Sequence, residues 1–265
     1  MPRANRYHIP GYIWHLTHRC HKKEFLLKFA KDRRRWMAWL LEAKKRFGLR
    51  VLNFVVTCNH VHLLVMDSAD PDVVPRSLQL IAGRTAQEFN FRKHRAGAFW
   101  EDRYHATAIE NGVHLTNCIT YIDLNMVRAG RVRHPIQWVH GGYYEMERPP
   151  RYKNLVDYGS LMKLLGIGTM EELRIFRRRW VKEKIAAKQM ARESQWTRSI
   201  AVGSREFLEE MKEHLGIRTW LRTIEPAYDL DSFHLKDGEG KYRVFSGKNA
   251  SNWPKKCPKT SLTSK

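Results

Sequence analysis

The most constraining feature of the chain is a pair of apolar, β-prone runs, Arg50-Val-Leu-Asn-Phe-Val-Val-Thr57 and His60-Val-His-Leu-Leu-Val-Met66, separated only by Cys58-Asn59. Two strands joined by so short a connection pair antiparallel, so the segment predicts a hairpin. Upstream, residues 12–18 (Tyr-Ile-Trp-His-Leu-Thr-His) alternate as a half-buried strand does. From about Lys31 to Phe47, Trp36, Leu40, Ala43 and Phe47 recur at helical spacing ahead of Gly48, a stop signal. Downstream come the turn-rich Asp67–Asp72, a helix from about Pro75 to His94, a strand over 103–110, and a helix from Asn111 to about Arg128 closed by Ala129-Gly130. The order β-α-β-β-α-β-α, with antiparallel pairing, predicts an α+β, ferredoxin-like sandwich over residues 1–148, its helices on one face and the other face open for a site. Past Pro149-Pro150 a basic helical extension is expected over 149–246, with helices near 159–165, 169–190 and 204–215 and caps at Thr169 and Ser204. The Lys-, Ser- and Pro-rich residues 247–265 read as a disordered tail.

Charge narrows the partner. The 265 residues hold 48 Lys and Arg against 27 Asp and Glu, a net charge of +21. Both halves share it, with +11 over residues 1–150 and +10 over the rest. Such a balance favours a polyanion, nucleic acid first. Phosphate contacts are expected from Arg76, Arg84, Arg92 and Lys93 on the Pro75–His94 helix, from Arg103, and from the amino-terminal arm, with strongly salt-dependent affinity. The sequence shows no apolar run of about 18 residues and no charged-then-apolar leader, so neither a membrane partner nor secretion is expected, and the expected place is the cytoplasm. Cys20, Cys58, Cys118 and Cys257 are widely spaced with no C-x-x-C pair, which fits reduced packing thiols.

The chemistry-bearing residues cluster on two elements. Side chains on a strand repeat every two residues, so His60 and His62 project from one face and can reach one metal ion. With 13 histidines in the chain an H-x-H pair alone is ordinary. Its place at the mouth of an apolar strand, where an unpaired imidazole is costly to bury, gives it weight. On the third helix, about 100° per residue places Leu115, Cys118, Ile119, Ile122 and Met126 on a core stripe. Tyr121, Asn125 and Arg128 fall together on a flank, with Asp123 on the opposite side. A phenol is a poor nucleophile near neutral pH and needs a cation beside it to attack a phosphate. These residues could equally pack the helix and cap a turn.

Cys58-Asn59-His60-Val61-His62-Leu63-Leu64-Val65 resembles the histidine-hydrophobic-histidine motif of the single-tyrosine HUH transposases, and Tyr121-Ile-Asp-Leu-Asn-Met-Val-Arg-Ala-Gly130 resembles their tyrosine helix. Thr17-His-Arg-Cys-His21 and Phe99-Trp-Glu-Asp-Arg-Tyr-His105 look like the branch of REP-associated tyrosine transposases, so the likeness spans about residues 7–145. In the extension, Gly203-Ser-Arg-Glu-Phe207 looks like an element of larger members. The resemblance implies a ferredoxin-like single-strand DNA endonuclease and transposase. Tyr121 would form a 5′-phosphotyrosine intermediate beside Mg²⁺ or Mn²⁺ held by His60, His62 and Asn125. Arg128 would contact a phosphate, and the DNA would be single-stranded and hairpin-forming. The oligomeric state, monomer or homodimer, stays open. The usual Asn-Pro-Val-Arg is Asn-Met-Val-Arg here, with Met126 in the proline position. Two other classes are compatible with the same residues: a catalytically idle single-strand nucleic-acid binder, and a zinc-stabilised DNA-binding regulator using Cys58, His60 and His62.

Overall fold

A computed structural model describes residues 11–68, 70–151, 153–188, 191–216, 222–227 and 232–236; the amino-terminal arm, Cys257 and the tail expected over 247–265 lie outside the described residues. Strand β1 (Ile13–Arg19), helix α1 (Ala30–Phe47), β2 (Arg50–Val56), β3 (His60–Met66), α2 (Val73–Arg92), β4 (His105–Ile109) and α3 (Val113–Asp123) follow in the predicted order. The four strands lie as β2-β3-β1-β4, each neighbouring pair antiparallel, which is the ferredoxin-like arrangement. Helix α1 stops where expected, at Gly48, whose φ of 71° suits a residue without a side chain and whose N–H closes on Lys44 O.

The register decides what meets at the site. Thr17 on β1 lies opposite His62 on one side and His105 on the other, and Arg19 lies opposite His60. These residues therefore share one face of the sheet, together with His15, two positions before Thr17. The alternate residues Trp14, Leu16, Val61, Leu63 and Val65 are buried on the other face, where α1 and α2 pack side by side.

The histidine face is not left open. Helix α3 crosses it, burying Leu115, Cys118, Ile119 and Ile122, and Asn53 of β2 donates to Ile119 O and to Asp123 Oδ1. An apolar stripe on the third helix needs a surface to cover, and this face supplies one. The expected long third helix is interrupted at Leu124, whose ψ of 1° leaves the helical region, and resumes as the single turn α4 (Asn125–Arg128).

The extension holds the expected helices as α6 (Tyr158–Leu165), α7 (Met170–Ala186) and α9 (Arg205–Leu215), preceded by a short α5 (Gly142–Glu147). Thr169 accepts from Glu172 N within a capping box, and Ser204 accepts from Phe207 N. It also contains α8 (Gln195–Arg198) and three strands that the sequence pattern did not reveal, β5 (Ser199–Gly203), β6 (Ile224–Pro226) and β7 (Phe233–Lys236). Strand β5 runs parallel to β4, pairing Ala108 with Ala201 and Ile109 with Val202, and the sheet becomes β2-β3-β1-β4-β5-β7-β6. The reason is that β4 otherwise ends the ferredoxin-like sheet with unpaired backbone groups, and a short buried run such as Ser199-Ile-Ala-Val-Gly203 has too little length to show a period. Helix α7 is fastened to α3 by Arg177, which is fully buried and places Nη2 2.6 Å from Asp123 Oδ1 and 3.2 Å from Asn53 Oδ1. The carboxylate excluded from the site by its position on the helix is thus consumed in a matched, hydrogen-bonded charge pair.

Candidate active site

His60 and His62 open β3, and α3 and α4 bring Tyr121, Asn125 and Arg128 over them. The Asn125 amide nitrogen lies 2.9 Å from His62 Nε2. The Tyr121 ring stands nearly perpendicular to His62, its centroid 5.9 Å away, and the Arg128 guanidinium sits 3.9 Å above the phenol ring. These three helix residues fall on one flank because four and seven residues are close to one and two helical turns. Tyr121 is only 5% exposed, held between Arg128 and Trp196 of the extension, yet it lines a cavity of about 590 Å³ together with His60, His62, Asn125 and Arg128.

The imidazoles are oriented by their neighbours. Asn59 Nδ2 donates to Lys23 O, which turns its Oδ1 toward His60, and Oδ1 accepts from His60 Nδ1 at 2.8 Å. Thr57 Oγ1 lies 3.0 Å from the same nitrogen. The Nε2 lone pair of His60 is thereby left for another partner. On its far edge, His62 Nδ1 meets His15 Nε2 at 2.9 Å. Among the described residues no three His, Cys, Asp or Glu side chains converge as a metal would require. A cation here would take the two imidazole nitrogens and, with the amide turned from its present hydrogen bond to His62, the oxygen of Asn125, a donor set that suits a divalent ion with open positions. Cys58 does not line the cavity, and its sulfur lies 4.0 Å from Arg33 Nη1.

Burial dominates the electrostatics. It lowers the pKa of His15 to about 3 and of His60 to about 4, and drives His62 well below 6.5. Desolvation also raises the Tyr121 phenol, against which Arg128 and Arg192 act by favouring the anion. For the histidines the folded values lie below the unfolded ones, so the unfolded chain takes up protons first. Their contribution to stability is complete above about pH 6.5 and is lost as the pH falls toward 4. The melting temperature of the metal-free protein should therefore drop across pH 6.5 to 4, and His60→Gln should make the drop shallower. A melting temperature flat across that window would show that these rings are not held neutral.

Of the basic residues singled out in the sequence, Arg103 and Arg128 reach the cavity, joined by Arg19, Lys23, Arg192 and Arg198, with Glu101 and Asp102 as the carboxylates. Arg76, Arg84, Arg92 and Lys93 do not. On α2 and, for Lys93, just past its end, they meet Asp72, the Trp39 ring, Asp32 and the Phe29 ring respectively. His15 and Arg19 escaped sequence reading, although two-residue periodicity along β1 puts both on the face of Thr17. Arg192 and Arg198 carried no local signal, since only the return of the extension to β4 brings them in.

Among the described residues no helix is long and apolar enough to cross a membrane. No curated protein matches the chain in sequence. Similar solved structures include a REP-associated tyrosine transposase bound to a REP hairpin, at 20% identity and a TM-score of 0.47, covering 59% of this chain and 94% of its own; and a protein of Deinococcus radiodurans R1 described as a transposase, at 16% identity and a TM-score of 0.32, covering 49% and 96%. The sequence match is the more direct one. Residues 9–125, which carry both histidines, the tyrosine and the asparagine, match the family described as Transposase IS200 like.

Proposed function

We propose that the chain is a DNA transposase that cuts and rejoins single-stranded, hairpin-forming DNA through Tyr121, with Mg²⁺ or Mn²⁺ held by His60, His62 and Asn125. The observation that carries this reading is the meeting of phenol, paired imidazoles, amide and guanidinium in one cation-lined cavity. Phosphates of the strand would lie against Arg19, Arg103, Arg128, Arg192 and Arg198, a surface whose affinity falls as salt rises.

The phenol of Tyr121 loses its proton into the open cavity, and Arg128, fixed above the ring, offsets the burial that opposes the anion. The phenolate oxygen attacks phosphorus, and the bond from phosphorus to the 3′ oxygen breaks. The departing oxygen takes a proton and becomes a free 3′-hydroxyl, while the 5′ side stays joined to Tyr121 as a phosphodiester. When bound, the divalent ion supplies Lewis acidity toward a phosphate oxygen. One phosphodiester replaces another, so a 3′-hydroxyl can attack the tyrosyl bond and rejoin DNA without a nucleotide cofactor.

The test is incubation with end-labelled single-stranded DNA from the chain's own genomic neighbourhood, with and without Mg²⁺ or Mn²⁺. The expected result is a cut strand and a protein-linked fragment that both require the ion. DNA bound but intact under all conditions would instead favour an idle single-strand binder, the reading suggested by the burial of Tyr121.

A further inference from the structure

We propose that His15 is a positioning residue for the cation site: it accepts a hydrogen bond from His62 Nδ1 and thereby fixes His62 in the tautomer whose Nε2 lone pair faces Asn125. The inference rests on the reading of His62 as a ligand.

Four observations support it. His15 is fully buried on β1, where an apolar residue would satisfy the core and an imidazole needs a partner. Its Nε2 is 2.9 Å from His62 Nδ1. The two ring planes lie within 14° of each other with centroids 5.0 Å apart. At that separation, nearly parallel rings that bring two nitrogens together meet edge to edge in one plane, the alignment of an in-line N–H···N bond. The outer ends of the pair then decide which ring donates. At one end the Asn125 amide nitrogen, a donor, is 2.9 Å from His62 Nε2, so that nitrogen accepts. A neutral imidazole has one proton, so the proton of His62 stands on Nδ1 and His15 Nε2 receives it. The proton of His15 is then on its own Nδ1, and the Trp196 backbone acts on this buried ring as a hydrogen-bond acceptor. A ring held in that tautomer would meet a cation with its Nε2 lone pair once the Asn125 amide nitrogen turns away, with no tautomer exchange on binding. Partners that orient a ligating imidazole in this way typically change metal affinity by about 10- to 100-fold when removed.

His15→Leu keeps a buried apolar body and removes the acceptor. His15→Gln offers a side-chain oxygen near the position of the lost Nε2. Two readouts, neither of them activity, apply to the full-length protein: the ¹⁵N shifts of the His62 ring without metal, and Mn²⁺ affinity by titration calorimetry. The wild type is expected to show the His62 proton on Nδ1. His15→Leu should populate both tautomers and bind Mn²⁺ roughly 10- to 100-fold more weakly, and His15→Gln should restore the single tautomer and most of the affinity. A His62 proton on Nε2 in the wild type, a His15→Leu variant that retains both properties, or equal losses in the two variants would overturn the proposal. Should His15→Leu fail to fold, the wild-type tautomer and the Gln variant still decide. A wild type with the Nδ1 proton but no Mn²⁺ binding would overturn the cation reading instead, which the same titration reveals.

Discussion

Tyr121→Phe is expected to fold, to bind Mn²⁺ and single-stranded DNA close to wild type, and to form neither a cut nor an adduct. The ring keeps its contacts, because Phe fills the same space between Trp196 and the Arg128 guanidinium 3.9 Å above it. What is lost is one hydroxyl, a change of about 1 kcal/mol in stability at a buried polar group. The consequence for chemistry is of another order, since among the described residues no second phenol lines the cavity. Tyr104 and Tyr143 are buried and, like Tyr144, do not line the cavity. Tyr143 is packed against His134, and burial holds its pKa at about 12. Cleavage by the Phe variant at the wild-type rate, or an adduct mapped by mass spectrometry to one of these three, would remove Tyr121 from the mechanism. A fall in thermal stability of several kcal/mol would show instead that the hydroxyl is structural.

How much of this was legible beforehand follows from the range over which each signal acts. The hairpin of β2 and β3 announces itself within 17 residues, because both strands are continuous apolar runs and the turn between them is short. The flank shared by Tyr121, Asn125 and Arg128 is legible for the same reason, being set by helical geometry within two turns. The break at Leu124 lies between Tyr121 and Asn125, yet Asn125 still reaches His62, so the count of angle per residue survived a local departure from the helix. Features that depend on distant pairing were not legible. His15 gains its partner through the pairing of β1 with β3, across 47 positions of sequence. Trp196 and Arg192 reach the tyrosine because β5 adds to the free edge of β4, more than 90 positions away, by backbone bonds that any side chain can make. The α2 cations show the converse limit. Their sequence signal was charge alone, which does not fix where a side chain lies, and the structure places them away from the cavity, with Arg92 against Asp32.

His60→Ala is expected to abolish ion-supported cleavage while leaving single-strand affinity within a few-fold of wild type. His60 is oriented through Nδ1 by Asn59 and Thr57, so removing the ring takes away a donor without unpinning β3, whose pairing with β1 and β2 is backbone-made. The surface expected to hold DNA is formed by other side chains, among them Arg19, Arg103, Arg192 and Arg198, and stays intact. His62→Ala should be equally inactive and less stable. Its ring is 2% exposed and bonded at both edges, to His15 and to Asn125, so deletion strands a buried imidazole as well as a donor. Asn125→Ala removes the weakest of the three proposed donors and should be the mildest, with cleavage that recovers in part as Mn²⁺ is raised, because two imidazoles still bind. This ordering, with both histidine variants inactive at limiting Mn²⁺ and the asparagine variant rescued by excess, separates ligation from packing. Packing damage would follow burial instead, harming His62→Ala and Asn125→Ala together and sparing the more exposed His60. Single-turnover cleavage measured across a Mn²⁺ series, with DNA binding followed in parallel, tells the two patterns apart. Wild-type rates in both histidine variants at limiting metal would place the ion, and the chemistry with it, elsewhere in the cavity.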